Sequence, residues 1–228
     1  RDGLTDIYVG VGRGGVERLN FRGQADFILM NRGEGRFERV DLAPRGGLTL
    51  GVVLADIDAD GRLDVVESID TSTIAGPARL LWNRTEVGAS TPVFEAADDT
   101  WDVGTHGMGV AIGDLNQDGL LDIYNTSRGQ DLLVMGQGQG RFDDQTESRG
   151  ILHQWASLGL RVQWSPSIVD LDLDGRLDLL VRHGLPTTFT TTAKSAWAAD
   201  LIYVQGPDGN FERSAVPSQD GDGEGKRF

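Results

Sequence analysis

The chain of 228 residues contains no cysteine. This absence excludes disulfide bonds, zinc–thiolate sites and thiol nucleophiles, but it does not choose a cellular compartment. The sequence also has no run of 18 apolar residues, the minimum for a membrane-spanning helix. We therefore expect no membrane insertion of this chain.

Positive charge is scarce as well. The chain has 21 Lys and Arg residues against 35 Asp and Glu, which gives a formal net charge of −14. Proteins that bind nucleic acids or anionic membranes present basic surfaces, so neither is an expected partner. A hydrophobic fraction of 39% is typical of globular proteins and argues against disorder and coiled coil.

Glycine, by contrast, is abundant at 32 residues, and it clusters with Asn and Asp between short runs rich in Val, Ile, Leu and aromatics. This texture favours an all-β chain with many tight turns. One acidic segment recurs three times without gaps, and its second half also opens the chain. The copies are ADIDADGRLDVV from Ala55, GDLNQDGLLDIY from Gly113, VDLDLDGRLDLL from Val169 and the partial RDGLTDIYV from Arg1.

The spacing of these copies predicts a repeat of about 57 residues with about four short strands in each period. Four-stranded sheets at this interval, with no helical stretch between them, are typical of the blades of a β-propeller. We interpret the chain as one segment of a seven- or eight-bladed ring, with a closed four-bladed ring as the alternative. The predicted units are a partial repeat 1–46, repeats 47–104, 105–160 and 161–225, and the start of a further strand at 226–228.

The acidic segment has the pattern D-x-[DN]-x-D-G-x-x-D, which places side-chain oxygens at positions 1, 3, 5 and 9. Calcium takes six to eight oxygen ligands in irregular geometry and accepts backbone carbonyls, such as that of position 7. Nitrogen and sulfur ligands are absent from the pattern, which argues against zinc and copper. The predicted ligands are Asp56, Asp58, Asp60, Arg62 and Asp64; Asp114, Asn116, Asp118, Leu120 and Asp122; Asp170, Asp172, Asp174, Arg176 and Asp178. A partial fourth site would use Asp2, Leu4 and Asp6.

The acidic segments have two alternative interpretations, an EF-hand and a solvated turn. An EF-hand needs a bidentate acid at position 12 on a following helix, but position 12 is Glu67, Asn125 and Val181, and the following residues favour strands. Solvated turns rich in Asp and Gly are the second alternative. Three copies in register favour metal binding over such turns, because their aspartates repel one another without a counterion.

The repeats resemble the FG-GAP/VCBS repeats of integrin α-subunit propellers and of secreted bacterial proteins. The stretches 107–127, 138–151 and 163–181 are most similar to the cartilage acidic protein/ASPIC-UnbV branch. The resemblance implies a propeller with calcium between the first and second strands of each blade, an extracytoplasmic setting and a role in adhesion. The chain departs from that branch in having no ASPIC-like module and no growth-factor-like cysteines, so the resemblance does not identify a partner.

No catalytic constellation stands out. The histidines, His106, His153 and His183, have no HxH or HxxxH spacing, and no nucleotide-binding or nucleophile motif is present. We therefore expect a non-catalytic calcium-binding module that binds a protein partner or joins a larger assembly. The alternative is a carbohydrate-active protein, either lectin-like or a polysaccharide lyase or dehydratase, with Trp155 and Trp197 as exposed sugar-stacking residues in the longer loops.

Overall fold

The computed structural model describes residues 3–12, 25–42, 48–70, 78–97, 106–127, 129–151, 162–184 and 200–215. Throughout these ranges the regular secondary structure is β-strand, arranged in four antiparallel sheets. Within the same ranges there is no helix long and apolar enough to cross a membrane. The chain divides into two compact units, residues 1–107 and 108–228, and each unit is described separately.

The first unit holds two sheets. In each sheet, strands that follow one another in sequence pair in antiparallel fashion, so the strand order equals the chain order. The first sheet has three strands and the second has four. The strands are β1 (Ile7–Val9), β2 (Phe27–Asn31) and β3 (Phe37–Asp41), then β4 (Leu48–Ala55), β5 (Asp64–Asp70), β6 (Arg79–Asn83) and β7 (Phe94–Ala96).

The second unit holds two four-stranded sheets with the same sequential antiparallel order. The first strand of the last sheet contains a register shift between Gln163 and Ser165, and the first strand of the second sheet has one at the equivalent place, between Thr49 and Gly51. The strands are β8 (Gly107–Gly113), β9 (Asp122–Ser127), β10 (Leu132–Gly136) and β11 (Phe142–Asp144), then β12 (Val162–Val169), β13 (Asp178–Gly184), β14 (Leu201–Gln205) and β15 (Phe211–Ala215).

Apolar side chains between the two sheets of the second unit form its core. Tyr124 and Leu133 from one sheet pack with Leu179 and Tyr203 from the other, and all four are buried. Burial of such side chains is the main stabilising contribution to a packed pair of sheets. The core therefore lies between sheets, as expected when each sheet covers the face of the next.

A buried polar network joins the two sheets of the first unit. The Tyr8 hydroxyl donates to Glu67 at 2.6 Å, and the Arg79 guanidinium donates to Glu67 at 2.5 Å and to Asp26 at 2.7 Å. The Thr49 hydroxyl also donates to Asp26, at 3.0 Å. Burial raises the pKa of Glu67 to about 7, against the opposing charge of Arg79. Contacts between neighbouring sheets are thus polar as well as apolar.

The all-β fold predicted from the sequence is confirmed. The sheets are antiparallel, their strands follow in chain order, and every complete sheet in the described residues has four strands, as the blades of a β-propeller do. The acidic segments each connect the first strand of a complete sheet to the second. The strand after each loop was predicted from strand-forming residues such as those of LDVVESI, and the placement between the first and second strands was implied by the resemblance to FG-GAP repeats.

Candidate metal centres

Three acidic loops have one backbone conformation in common. We call them loop 1 (56–64), loop 2 (114–122) and loop 3 (170–178). In loop 1, the carboxylate of Asp56 accepts hydrogen bonds from the amides of Asp60 at 3.0 Å and Gly61 at 2.9 Å. The equivalent bonds are present in loops 2 and 3 at 2.9–3.2 Å. In each loop, the carboxylate of the position-1 aspartate therefore holds the turn closed by accepting from the amides of positions 5 and 6.

Two positions in each loop adopt the left-handed backbone conformation. Position 6 is always glycine, with φ between 81° and 89° in the three loops. Position 4 is Ala59, Gln117 or Leu173, with φ of 59°, 60° and 61°. Residues other than glycine rarely adopt this conformation, and it costs Ala or Leu about 1–2 kcal/mol. Three different residues adopt the same left-handed φ at position 4. Closure of the whole loop therefore determines this φ, and the preference of the individual residue does not.

The position-9 aspartates Asp64, Asp122 and Asp178 are fully buried. In each, one oxygen accepts from the amide of loop position 2, and the other accepts from the amide at the end of the third strand, at 2.7–3.0 Å. Burial raises the pKa of Asp122 to about 6, although these backbone amides lower it, and burial also raises the pKa of Asp64. Each aspartate thus ties its loop to the third strand. Its oxygens keep further lone pairs for a cation.

Carboxylate oxygens converge in loops 1 and 3. In loop 1, oxygens of Asp56, Asp58 and Asp64 lie within 4.8 Å of one another. In the same loop, Oδ1 of Asp58 is buried and has no hydrogen-bond donor. A buried carboxylate oxygen without a donor is costly unless a cation compensates it, so the residues of loop 1 fit a metal ion. In loop 3 the convergent oxygens belong to Asp170, Asp172 and Asp174.

Loop 2 and the partial site differ from these two. In loop 2, the Asn116 amide donates to Asp118 at 2.8 Å, and Asp118 also accepts from the amide of Leu120 at 2.8 Å. At the start of the chain, Asp6 accepts from the amide of Asn31 at 2.8 Å, as a position-9 aspartate does. Leu4 is exposed, and Asp2 lies outside the described residues.

The arginine side chains beside the loops were not considered in the sequence-based prediction, which used only the backbone carbonyls of Arg62 and Arg176. The Arg62 guanidinium pairs with Asp60, and that of Arg176 pairs with Asp174. In addition, Arg84 pairs with Asp58 at 2.9 Å. Positive charge from the protein itself therefore lies on the predicted metal ligands of loops 1 and 3.

A second recurrent aspartate was also missed. Asp131 and Asp200 immediately precede the third strands β10 and β14, and Asp26 precedes β2 of the three-stranded sheet. Each accepts a hydrogen bond at 2.6–3.1 Å from a backbone amide five residues after a position-9 aspartate. The signal in the sequence is an aspartate before an apolar strand, but the connecting segments differ in length, so the repeat spacing does not reveal it. These aspartates fix the turn at the end of their three sheets away from the acidic loop.

The histidine and tryptophan residues considered in the sequence analysis lie outside the acidic loops. His106 lies with its Nδ1 atom 3.7 Å from Asp70. Trp164 on β12 is 41% exposed. The longer loops with Trp155 and Trp197, and His153 with them, lie outside the described residues.

Taken with the fold, the loops define a class of protein: four-stranded sheets in series, each complete one with an acidic turn between its first and second strands. A family model described as FG-GAP-like repeat matches residues 1–67 and 114–181, more than half of the chain, and the chain belongs to this family. No curated protein matches the chain.

Proposed function

We propose that the chain is a calcium-binding propeller module that mediates protein–protein interaction or assembly outside the cytoplasm. The observation that carries the proposal is in loop 1, where oxygens of Asp56, Asp58 and Asp64 lie within 4.8 Å of one another and the buried Oδ1 of Asp58 has no hydrogen-bond donor. Arg84 pairs with the other oxygen of Asp58, and a bound cation would supply the partner that Oδ1 lacks.

Calcium fits the donor set better than other common metal ions. The loops offer carboxylate, amide and carbonyl oxygens, which suit hard cations, and no nitrogen or sulfur. Magnesium demands a near-octahedral shell and retains several waters, whereas calcium accepts six to eight oxygens in flexible geometry. Asp56, Asp58, Asp60 and Asp64 would hold the ion in loop 1, and the equivalent residues would hold it in loops 2 and 3.

The proposed role of the metal is structural. Each loop connects the first two strands of a sheet, and its position-9 aspartate is bonded to the third strand. A bound ion would offset the repulsion among the aspartates and hold these three strands together. Because binding would favour the folded state over the unfolded state, it would add to the free energy of unfolding.

The setting and partner belong to the same proposal. Loops of this type suit the millimolar calcium found outside cells. The net charge of −14 favours a partner that is not nucleic acid. The resemblance of 107–127 and 163–181 to the cartilage acidic protein/ASPIC-UnbV branch supports an extracytoplasmic interaction module without catalytic activity.

The carbohydrate-active alternative is second. Its support among the described residues is Trp164, whose exposed ring offers one stacking surface on β12. Two histidines were the other candidates: His106 has its Nδ1 atom 3.7 Å from Asp70, and His183 donates its backbone amide to Asp200 at 3.1 Å. A glycan array with the full chain tests this alternative, and the change Trp164→Ala should abolish any signal that depends on the ring.

The calcium proposal is tested by thermal unfolding of the full chain in calcium, in magnesium and in excess chelator, with metal analysis of the purified protein. We expect about three bound calcium ions and a melting temperature that is markedly higher in calcium than in chelator or magnesium. No bound calcium together with the same melting temperature in all three conditions would overturn the proposal.

A matched pair of variants assigns the effect to loop 1. Asp58→Asn keeps the size of the side chain but removes its charge, so it should bind one calcium ion fewer. Asp143→Asn makes the same change at an exposed aspartate of β11 outside the loops, and it should retain the wild-type calcium stoichiometry.

A further inference from the structure

Two acidic loops carry the same arginine contacts. In loop 1, Arg62 Nε donates to the backbone carbonyl of Asn83 at 2.5 Å, while its guanidinium pairs with the Asp60 carboxylate. In loop 3, Arg176 Nε donates to the carbonyl of Gln205 at 2.9 Å, while its guanidinium pairs with Asp174. Asn83 and Gln205 are both the last residue of a third strand, so each arginine links its loop to the same place in its sheet.

These contacts engage both oxygens of each position-5 carboxylate. One oxygen of Asp60 accepts from the amide of Arg62 at 2.9 Å, and the other meets the guanidinium of the same residue. Asp174 and Arg176 repeat the arrangement, with the amide at 2.9 Å. The two arginine side chains are 33% and 32% exposed, so the pairs are partly shielded from water. Shielding strengthens such pairs relative to fully exposed ones.

Loop 2 has neither the arginine nor the pair. Leu120 stands at the equivalent position, and the neutral Asn116 amide bonds to the position-5 aspartate, Asp118. Leucine also occupies this position at Leu4 in the partial site. The loop conformation therefore forms with either leucine or arginine at position 7, which makes the arginine side chain a separable feature.

We propose that Arg62 and Arg176 act as internal counter-cations that compete with calcium for Asp60 and Asp174. This inference rests on the proposed calcium function. Without metal, each guanidinium neutralises the position-5 aspartate and holds the loop against its third strand. When calcium uses that aspartate, the ion pair must open and the guanidinium remains close to a divalent ion, which repels it. The arginines therefore lower calcium affinity and keep loops 1 and 3 folded when calcium is scarce.

The test compares Arg62→Leu and Arg176→Leu with the wild-type full chain, using calcium titration and thermal unfolding in chelator. The changes copy the residue at position 7 of loop 2. We expect one stepwise calcium dissociation constant in each variant to fall by about fivefold to tenfold, because a unit positive charge beside the ion is removed. In chelator, the melting temperature should fall, because the bonds to Asp60 or Asp174 and to the third strand are lost.

Two controls separate charge from geometry. Arg36→Leu removes an arginine from an exposed pair with Glu34 and should change neither quantity. Arg62→Lys keeps the charge but cannot make both contacts, so calcium affinity should stay near wild type while the melting temperature in chelator falls. The reverse change, Leu120→Arg, should weaken calcium binding at loop 2.

The outcomes distinguish the two proposals. Calcium binding by wild type with unchanged affinity in both leucine variants would overturn the competition and leave the calcium sites standing. Tighter calcium binding in the Arg36→Leu control, equal to that in the loop variants, would also overturn it, since the effect would then be one of net charge. Absence of calcium binding in wild type and variants would overturn both proposals.

Discussion

The side-chain amide of Gln205 donates to the backbone carbonyl of Leu115 at 2.9 Å, across 90 residues of sequence. Gln205 ends β14 in the last sheet, and Leu115 is position 2 of loop 2 in the sheet before it. The amide of Leu115 in turn donates to Asp122 at 2.7 Å. One buried side chain therefore connects the third strand of one sheet to the acidic loop of its neighbour.

Removal of this connection should destabilise the second unit. Gln205→Ala leaves the buried carbonyl of Leu115 without its donor, and we expect a loss of about 1–3 kcal/mol in the free energy of unfolding. Gln117→Ala is the matched control, because Gln117 donates to the carbonyl of Gly175 at 2.7 Å on the exposed surface. Its effect should stay within about 0.5 kcal/mol. Denaturant unfolding measures both, and equal losses would contradict the assigned role of Gln205.

Asp131 predicts a pH dependence of stability. It is fully buried and accepts hydrogen bonds from the Tyr124 hydroxyl at 2.6 Å and the Ser127 amide at 2.9 Å, and the side-chain amide of Gln163 lies against it. Burial raises the pKa of Asp131 to about 8. The two tyrosines that face it, Tyr124 and Tyr203, stay neutral over this range, since burial raises the pKa of both.

The sign follows from proton binding. Between about pH 4 and pH 8 the folded state keeps a proton on Asp131 that the unfolded state releases, so the free energy of unfolding attributable to this group decreases as pH rises. Asp131→Asn should remove that decrease. Denaturant unfolding at several pH values checks this. Superimposable wild-type and Asp131→Asn profiles would show that the carboxyl group is not linked to folding.

Two substitutions in loop 3 should change the free energy of unfolding in opposite directions. Leu173 at position 4 has φ of 61° and is 87% exposed, so Leu173→Gly relieves the backbone at little cost in contacts. We expect a gain of about 0.5–1 kcal/mol in the free energy of unfolding.

Gly175, with φ of 89°, is the opposite case. A Cβ atom there would meet nothing within 4 Å, so Gly175→Ala tests the backbone alone. It should cost about 1–2 kcal/mol. Both values come from chemical denaturation in chelator, where calcium does not contribute. Stabilisation by Gly175→Ala, or loss of stability in Leu173→Gly, would show that φ does not limit these positions.

The repeated sheets and the glycine turns of the loops can be predicted from the sequence. Gapless recurrence of the acidic segment predicts the repeated sheets and a strand directly after position 9, while the place of each loop between a first and a second strand comes from the resemblance to FG-GAP repeats. Gly61, Gly119 and Gly175 predict a left-handed turn at position 6, since only glycine adopts it without strain.

Other features have no local signal. Ala59 and Leu173 do not favour the left-handed conformation that they adopt, which depends on closure of the whole loop. The hydrogen bonds from Arg62 and Arg176 to the third strand depend on where that strand ends, and that is a property of the folded sheet. Asp26, Asp131 and Asp200 precede their strands by the same interval, but the segments before them vary in length.

The most direct measurement is a crystal structure of the full chain grown in calcium, with anomalous scattering data collected to locate calcium. We predict anomalous peaks in loops 1, 2 and 3, each surrounded by oxygens of positions 1, 3, 5, 7 and 9, with the Arg62 and Arg176 guanidinium groups moved off Asp60 and Asp174. Calcium-grown crystals without peaks in these loops, and with Asp60 and Asp174 still paired with Arg62 and Arg176, would contradict the proposed calcium sites.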